Sequence, residues 1–191
     1  MGNPEPVHYY TVAEYLEMEE LAECRSEYFD GEIFAMAGGS ADHDRLSSEL
    51  DRLIGTAMIG RPCETFTANM KIRIQGSSAF FYPDLSVVCG KPQFDDPKQH
   101  VITNPVIIIE VLSESTEARD RGKKFERYKQ ITSFQEYVLV YQTEPKAQVY
   151  RKVQEGIWTQ YTYSGMDAVM ELQSIGIQIK LADIYRRVEF A

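Results

Sequence analysis

Long apolar runs are missing from this sequence. The longest, residues 105–109, ends at Glu110, far short of the ~18 residues of a membrane-spanning helix. Residues 1–10 lack a basic stretch followed by an apolar one, so a secretory leader is not expected and a cytoplasmic location is. Cysteine is scarce, and Cys24, Cys63 and Cys89 form no CxxC pair. Odd, scattered cysteines read as buried thiols of a reducing compartment, with neither a disulfide frame nor a zinc site. Positive charge is in deficit: 20 basic residues against 29 acidic ones give a net charge of −9. That argues against a large basic surface and tight, sequence-independent binding of nucleic acid, but leaves room for a small basic site. There is no GxGxxG, P-loop, HExxH, GxSxG or EF-hand loop, and His8, His43 and His100 lie far apart. The simplest nucleotide, zinc-protease and hydrolase readings fall with them.

What remains is an ordinary globular composition, 43% hydrophobic and 26% charged over 191 residues. It suits a single domain over residues 11–191 behind an N-terminal tail, residues 1–10. Thr11 and Glu14 form a capping box, so a helix is expected from Thr11 to near Cys24. Asp30-Gly31 between two β-prone runs signals a hairpin. After Gly38-Gly39-Ser40, a helix to about Ile59 carries Leu46, Leu50 and Ile54 at helical spacing. Strands are expected over residues 66–74 and 79–89, then a surface loop over residues 90–104. Residues 105–112 are β-branched and nearly continuous, the pattern of a central strand covered on both faces. A helix over residues 116–130 and a strand over 136–141 follow. Shorter strands are expected over residues 148–153, 158–163 and 176–180, and a short helix over 182–187.

Two acids stand where acids are costly. Asp84 lies inside the strand pattern of residues 79–89, and Glu110 interrupts the most apolar strand of the chain. A buried carboxylate must be paired or hold a cation. Two on adjacent strands can hold Mg²⁺, which takes oxygen ligands and keeps several waters. The plainer alternative is that each sits at a strand end facing water. The basic spot follows directly: residues 119–129 hold six basic residues against two acidic ones. At ~100° per residue, Lys124 lies about 40° from Tyr128 and Lys123 about 140° away. Lys124 then borders the buried seam while Lys123 faces water. The competing reading is an Asp120–Lys124 i,i+4 pair on a solvated helix.

Taken in order, several segments resemble the Uma2 family of the restriction endonuclease-like, PD-(D/E)XK superfamily. They are Tyr-Phe-Asp-Gly-Glu-Ile-Phe-Ala-Met, His43 opening a helix, Tyr-Pro-Asp-Leu-Ser-Val-Val-Cys-Gly, Ile-Glu-Val-Leu-Ser-Glu-Ser-Thr and Asp-Arg-Gly-Lys-Lys-Phe-Glu-Arg-Tyr. The resemblance runs from about residue 10 to residue 185. It implies an α/β (α+β) fold: a restriction endonuclease-like mixed sheet flanked by helices, with extra C-terminal strands and a divalent metal at the split of the sheet. Pro83-Asp84 would be the PD element and Glu110 the acid of (D/E)XK. The usual lysine position holds Leu112, so the resemblance implies that the lysine has moved to the following helix, where Lys124 fits. Glu27 matches an additional acid, and His43 a recurrent histidine with a plainer reading as an ordinary third residue of its helix.

By that resemblance, Asp84, Glu110 and the Val111 carbonyl would hold Mg²⁺ or Mn²⁺, and Lys124 would orient or deprotonate water or stabilise charge. Glu27 could hold a second metal, and His43, Arg119, Arg121 and Arg127 would contact substrate phosphates. The expected activity is metal-dependent hydrolysis of DNA. A degenerate nuclease fold that binds nucleic acid or protein competes with it, favoured by the acidic charge and the missing lysine. A two-carboxylate glycosidase is a third, weaker reading. The aromatics of residues 147–163 suggest a homodimer, with an extra hairpin packed on the chain's own core as the equal alternative; no membrane partner is expected.

Overall fold

The computed structural model describes residues 8–36 and 38–190. Residues 8–10 carry no regular structure; the rest of the expected tail lies outside the described residues. Helix α1 (Val12–Leu21) starts at the anticipated capping box, with Thr11 Oγ1 accepting the Glu14 amide at 3.2 Å and Glu14 accepting the Thr11 amide at 2.7 Å. The hairpin of β1 (Ser26–Phe29) and β2 (Glu32–Ala35) turns on Asp30 and Gly31 at φ 48° and 95°. Two consecutive left-handed residues match the twist of a two-residue hairpin, and the second position tolerates glycine best.

Helix α2 (Ala41–Met58) buries Leu46, Leu50, Ile54 and Met58, one stripe at i,i+4 spacing. Each such side chain contributes ~1.5–3 kcal/mol of burial. The stripe packs on a six-stranded sheet ordered β11-β10-β9-β8-β6-β3. Its strands are β3 (Cys63–Thr67), β6 (Leu85–Cys89), β8 (Ile107–Leu112), β9 (Glu136–Tyr141), β10 (Lys146–Gln154) and β11 (Ile157–Ser164). As its pattern requires, β8 is central and wholly buried. A five-stranded sheet, β2-β1-β5-β4-β7, adds β4 (Lys71–Arg73), β5 (Ala79–Phe81) and β7 (Val101–Ile102). Both sheets are mixed, with β8–β9 and β4–β7 parallel. A hairpin of β12 (Val169–Leu172) and β13 (Ile177–Lys180), then α5 (Leu181–Ile184), closes the α2 side.

Three expectations need correction. The run expected as one strand over residues 66–74 divides between β3 and β4, in different sheets, where Ala68-Asn69 interrupts its alternation. The run over residues 79–89 likewise divides into β5 and β6. Pro83 has no amide to give a ladder, so Tyr82-Pro83-Asp84 crosses between the sheets, and Asp84 sits at the break rather than within a strand. The loop over residues 90–104 contains β7. The cysteine reading is also overturned. Cys63 and Cys89 are register partners on β3 and β6 and form a disulfide, Cα–Cα 4.0 Å, while Cys24 is free and exposed. Spacing in sequence could not show that strand pairing would face the two thiols. The cysteine argument for a reducing compartment goes with it.

The helix expected over residues 116–130 is broken by its hydrogen bonding. It comprises α3 (Glu117–Arg119), a π-helical turn (Asp120–Lys124) and α4 (Phe125–Tyr128). Phe125 stacks on Tyr137 at 5.0 Å and meets Trp158 edge-on at 5.3 Å, while Tyr150 lies 4.7 Å from Phe125. Two aromatics of the β10–β11 hairpin thus serve the chain's own core. No described helix is long and apolar enough to cross a membrane.

Glu49 ties α2 to the C-terminal segment. Its buried carboxylate takes Arg52 Nε at 2.8 Å and Arg186 Nε at 2.8 Å. Burial alone would raise its pKa, but the two guanidinium groups outweigh it and hold the pKa below the ordinary value. A depressed carboxylate stabilises the fold above its unfolded pKa and loses that contribution as pH falls through the folded one. Glu49→Gln should therefore cost about 1–2 kcal/mol at pH 7. The deficit, measured by urea unfolding, should shrink towards pH 3; an equal deficit at both pH values would contradict the charge assignment.

Candidate active site

The break at Tyr82-Pro83-Asp84 opens a cleft of about 700 Å³ between the sheets, where β1, β2, β8, the start of α2 and the π turn meet. Strands β6 and β8 run antiparallel with Leu85 opposite Ile109. One residue further, that register sets Asp84 opposite Glu110. Asp84 Oδ2 accepts the Val111 amide at 2.7 Å, which fixes the carboxylate beside Glu110. The two acids, 26 positions apart in sequence, line one cleft.

Lys124 reaches the same place from the π turn. Its Nζ lies 2.8 Å from Glu27, 3.1 Å from Glu110 and 3.2 Å from Asp120, and all four residues are buried. Tyr128 donates its hydroxyl to Glu110 at 3.2 Å. A π turn carries one extra residue per turn, and such bulges often re-aim side chains at sites. Here it turns Asp120 and Lys124 inward together. The expected i,i+4 pair exists, but in the interior rather than on a solvated face. Lys123 stays outside, its ammonium 5.3 Å from the centre of the Phe29 ring.

Electrostatics follow from three carboxylates around one ammonium in a buried space. Burial drives the Glu110 carboxyl well above the usual range, opposed by Lys124 and reinforced by Asp120, Asp84 and Glu27. Burial also pulls the Lys124 ammonium down, but Glu110, Glu27 and Asp120 outweigh it and leave it above its ordinary value. Lys124 is thus cationic at neutral pH. Glu27 Oε2 meets Arg119 Nη2 at 2.6 Å, and Glu27 Oε1 accepts the Tyr82 amide at 3.2 Å. Neither Glu27 Oε2 nor Asp120 Oδ1 has a donor in hydrogen-bond alignment among the described residues.

His43 follows the N-cap Ser40 of α2 and sets Nε2 3.3 Å from Asp84 Oδ2. The hydrogen bond to Asp84 raises its pKa and burial opposes that. Gly39 makes room for it, because a Cβ there would lie 2.9 Å from His43 Nδ1. Glu27, His43, Asp84, Glu110, Val111, Lys124 and Arg119 all line the cleft. Arg121 and Arg127 do not. Arg121 bonds Glu117 at 2.7 Å and Gln148 at 2.6 Å, and Arg127 bonds Asp30 at 2.5 Å.

Sequence reasoning passed over three participants. Asp120 was visible only as Lys124's neighbour at i−4. Tyr128 looked like a core marker. Gln142 gave no signal, yet it bridges the rim, donating to the Leu112 carbonyl and accepting from Ser40 Oγ, both at 2.7 Å.

The donor set can take a divalent cation. Among the described residues no cluster of three or more His, Cys, Asp or Glu side chains is arranged as a metal cage. Mg²⁺ needs none, binding through one or two carboxylates and keeping waters. Asp84 Oδ2 and Glu110 Oε1 are engaged, leaving Asp84 Oδ1 and Glu110 Oε2 without a hydrogen-bond donor among the described residues. Hard oxygens from adjacent positions, facing one open cleft, suit a hard cation.

Removing Lys124 would leave three buried carboxylates without their common counter-ion. Breaking a buried charge pair costs about 3–5 kcal/mol. Lys124→Met should lower the unfolding free energy at pH 7 by that order in urea titration, and Lys123→Met by less than about 0.5 kcal/mol. Equal small losses in the two variants would mean that Lys124 is not held in the cluster.

Comparison with known proteins agrees on the family. The family model described as "Uma2: Putative restriction endonuclease" matches residues 12–182. Two uncharacterized proteins of Synechocystis sp. (strain ATCC 27184 / PCC 6803 / Kazusa) are similar along most of their length. One, slr1290, is 40% identical over 93% of this chain and 92% of its own; the other, sll1609, is 39% identical over 87% and 94%. A crystal structure of "a putative nuclease belonging to DUF820" from Anabaena variabilis ATCC 29413 superposes with a TM-score of 0.76 at 20% identity, covering 95% of this chain and 98% of that one. At that identity the likeness speaks for the fold.

Proposed function

The chain belongs to the Uma2 family, and on that premise we propose that it is a Mg²⁺- or Mn²⁺-dependent endonuclease that hydrolyses phosphodiester bonds in DNA. One observation carries the reading: Asp84, anchored on the Val111 amide, and Glu110, 3.1 Å from a buried lysine, line the same cleft.

In this proposal Asp84, Glu110 and the Val111 carbonyl hold the cation. When bound, the cation supplies Lewis-acid polarisation of the phosphate and a lowered pKa for water. Lys124, kept cationic by its carboxylates, acts by stabilising negative charge that develops on the phosphoryl or leaving oxygen. Glu27 and Asp120 position the ammonium. Arg119, which lines the cleft while paired with Glu27, and His43 meet the substrate phosphates. Arg121 and Arg127, spent on the chain's own acids, could contribute only to flanking phosphates. The cytoplasm as the place of action belongs to the same proposal.

Cleavage of supercoiled plasmid and single-stranded DNA with Mg²⁺, Mn²⁺ or EDTA tests it. The intact chain should cut with either metal and not with EDTA. Asp84→Asn and Glu110→Gln should each cut at least ~10²-fold more slowly, while Lys123→Ala should keep the cutting rate at saturating DNA and bind more weakly at higher salt. Metal-independent cleavage, or full activity in either carboxamide variant, would refute the assignment.

A binding module is the second reading, favoured by the three carboxylates that tie down Lys124 and by the net charge of −9. DNA retained but left intact under every metal condition would select it.

A homodimer is proposed at β11, whose sequence Ile-Trp-Thr-Gln-Tyr-Thr-Tyr-Ser carries no charge and forms an open edge of the six-stranded sheet. Charges are a usual guard of such edges. Light scattering should return about twice the 21.9 kDa of one chain; the single-chain mass at micromolar concentration would reject it.

A further inference from the structure

The other buried lysine lies across the five-stranded sheet. Lys71, on β4, is 7% exposed and lines a second cleft of about 620 Å³ with Glu19 of α1, Tyr82, Asp96 and His100. Three ring centres surround its ammonium: Tyr15 at 5.0 Å, Tyr82 at 5.5 Å and Phe80 at 5.9 Å. Among the described residues no carboxylate stands at ion-pair distance, because the nearby acids are committed elsewhere. Glu19 accepts the Tyr82 hydroxyl at 2.7 Å and the Ser26 amide at 3.0 Å. Asp96 accepts the His100 and Val101 amides at 2.8 and 2.9 Å, and Glu20 is paired with Lys98.

The chain thus buries two lysines in opposite surroundings. Lys124 sits among three carboxylates, which hold its proton. Lys71 sits among three aromatic faces, which attract a cation far less strongly than an ion pair does. A buried ammonium without a counter-ion is costly, and losing the proton relieves the cost. The neutral amine then has a free lone pair facing an open cleft.

We propose that Lys71 is the nucleophile of a second site, which takes a small uncharged aldehyde as an imine. The Nζ lone pair forms a bond to the carbonyl carbon, and the carbonyl oxygen accepts the proton given up by nitrogen. The carbinolamine oxygen then takes a proton from solvent and leaves as water while the nitrogen, keeping its remaining hydrogen, forms the C=N bond as a protonated imine. The protonated imine places its charge over the same three rings that already face the ammonium. Three carboxylates (Glu19, Glu20, Asp96) against two ammonium groups (Lys71, Lys98) line the cleft, which disfavours an anionic ligand. Burial lowers the pKa of Lys71, against Glu19 and Asp96, which raise it. Tyr15, Tyr82 and His100 are the other titratable groups facing the ammonium or lining its cleft. The nuclease reading is not needed for any of this.

Reductive alkylation of the full chain tests the proposal. Glycolaldehyde with sodium cyanoborohydride at pH 7, followed by digestion and mass spectrometry, gives a labelling rate for each lysine. Each unit by which a pKa falls raises the neutral fraction about tenfold at a pH below it. Lys71 should label faster than the exposed Lys91 and Lys180, with Lys124 slowest, and its rate should level off at a lower pH than theirs. Labelling of Lys71 no faster than Lys91, or rates rising in parallel with pH for the two, would overturn it.

Discussion

The charge cluster around Lys124 is the interaction on which the site depends. Its members come from three places: Glu27 from β1, Glu110 from β8, Asp120 and Lys124 from the π turn. Each would be unstable in that interior alone, since a lone buried charge costs several kcal/mol. Together they compensate one another only when all the elements are in place. The π turn carries both an acid and the ammonium to one point.

The second constraint is the passage between sheets. Five residues after β1 pairs with β5, the chain has left the five-stranded sheet and entered the six-stranded one as β6. Within that passage Tyr82 gives its amide to Glu27 and its hydroxyl to Glu19, and Asp84 takes the Val111 amide. One short segment without ladder bonds therefore separates the sheets, opens the cleft and fixes an acid at its floor. Tyr82 is also the wall between the two clefts, lining both.

The net charge of −9 is consistent with this economy of basic residues. Arg119, Arg121 and Arg127 lie on the helix that follows Glu110, yet each is spent on a partner within the chain. Cationic side chains near the cleft therefore organise the protein's own acids before they meet any substrate.

Much of this was decided locally and could be read from the chain. The capping box at Thr11, the Asp30-Gly31 turn, the stripe of α2 and the apolar run of β8 are short-range patterns, and local sterics and burial settle them. The anomalous acids were legible too, because Asp84 and Glu110 interrupt apolar segments. Other features depend on partners distant in sequence. That Ala79–Cys89 spans two sheets was hidden, since alternation is the same in either sheet and only pairing decides membership. The Cys63–Cys89 disulfide required a β3–β6 register that no spacing reveals. Asp120 was legible only as Lys124's partner at i,i+4; whether that pair lay in water or in the interior was decided by Glu27 and Glu110, which arrive from distant strands. The sequence by itself determined the locally encoded elements and marked two costly acids; the tertiary structure alone decided which sheet each strand joined and which charges those acids would meet, because strand partners and Coulombic partners are chosen by proximity in space.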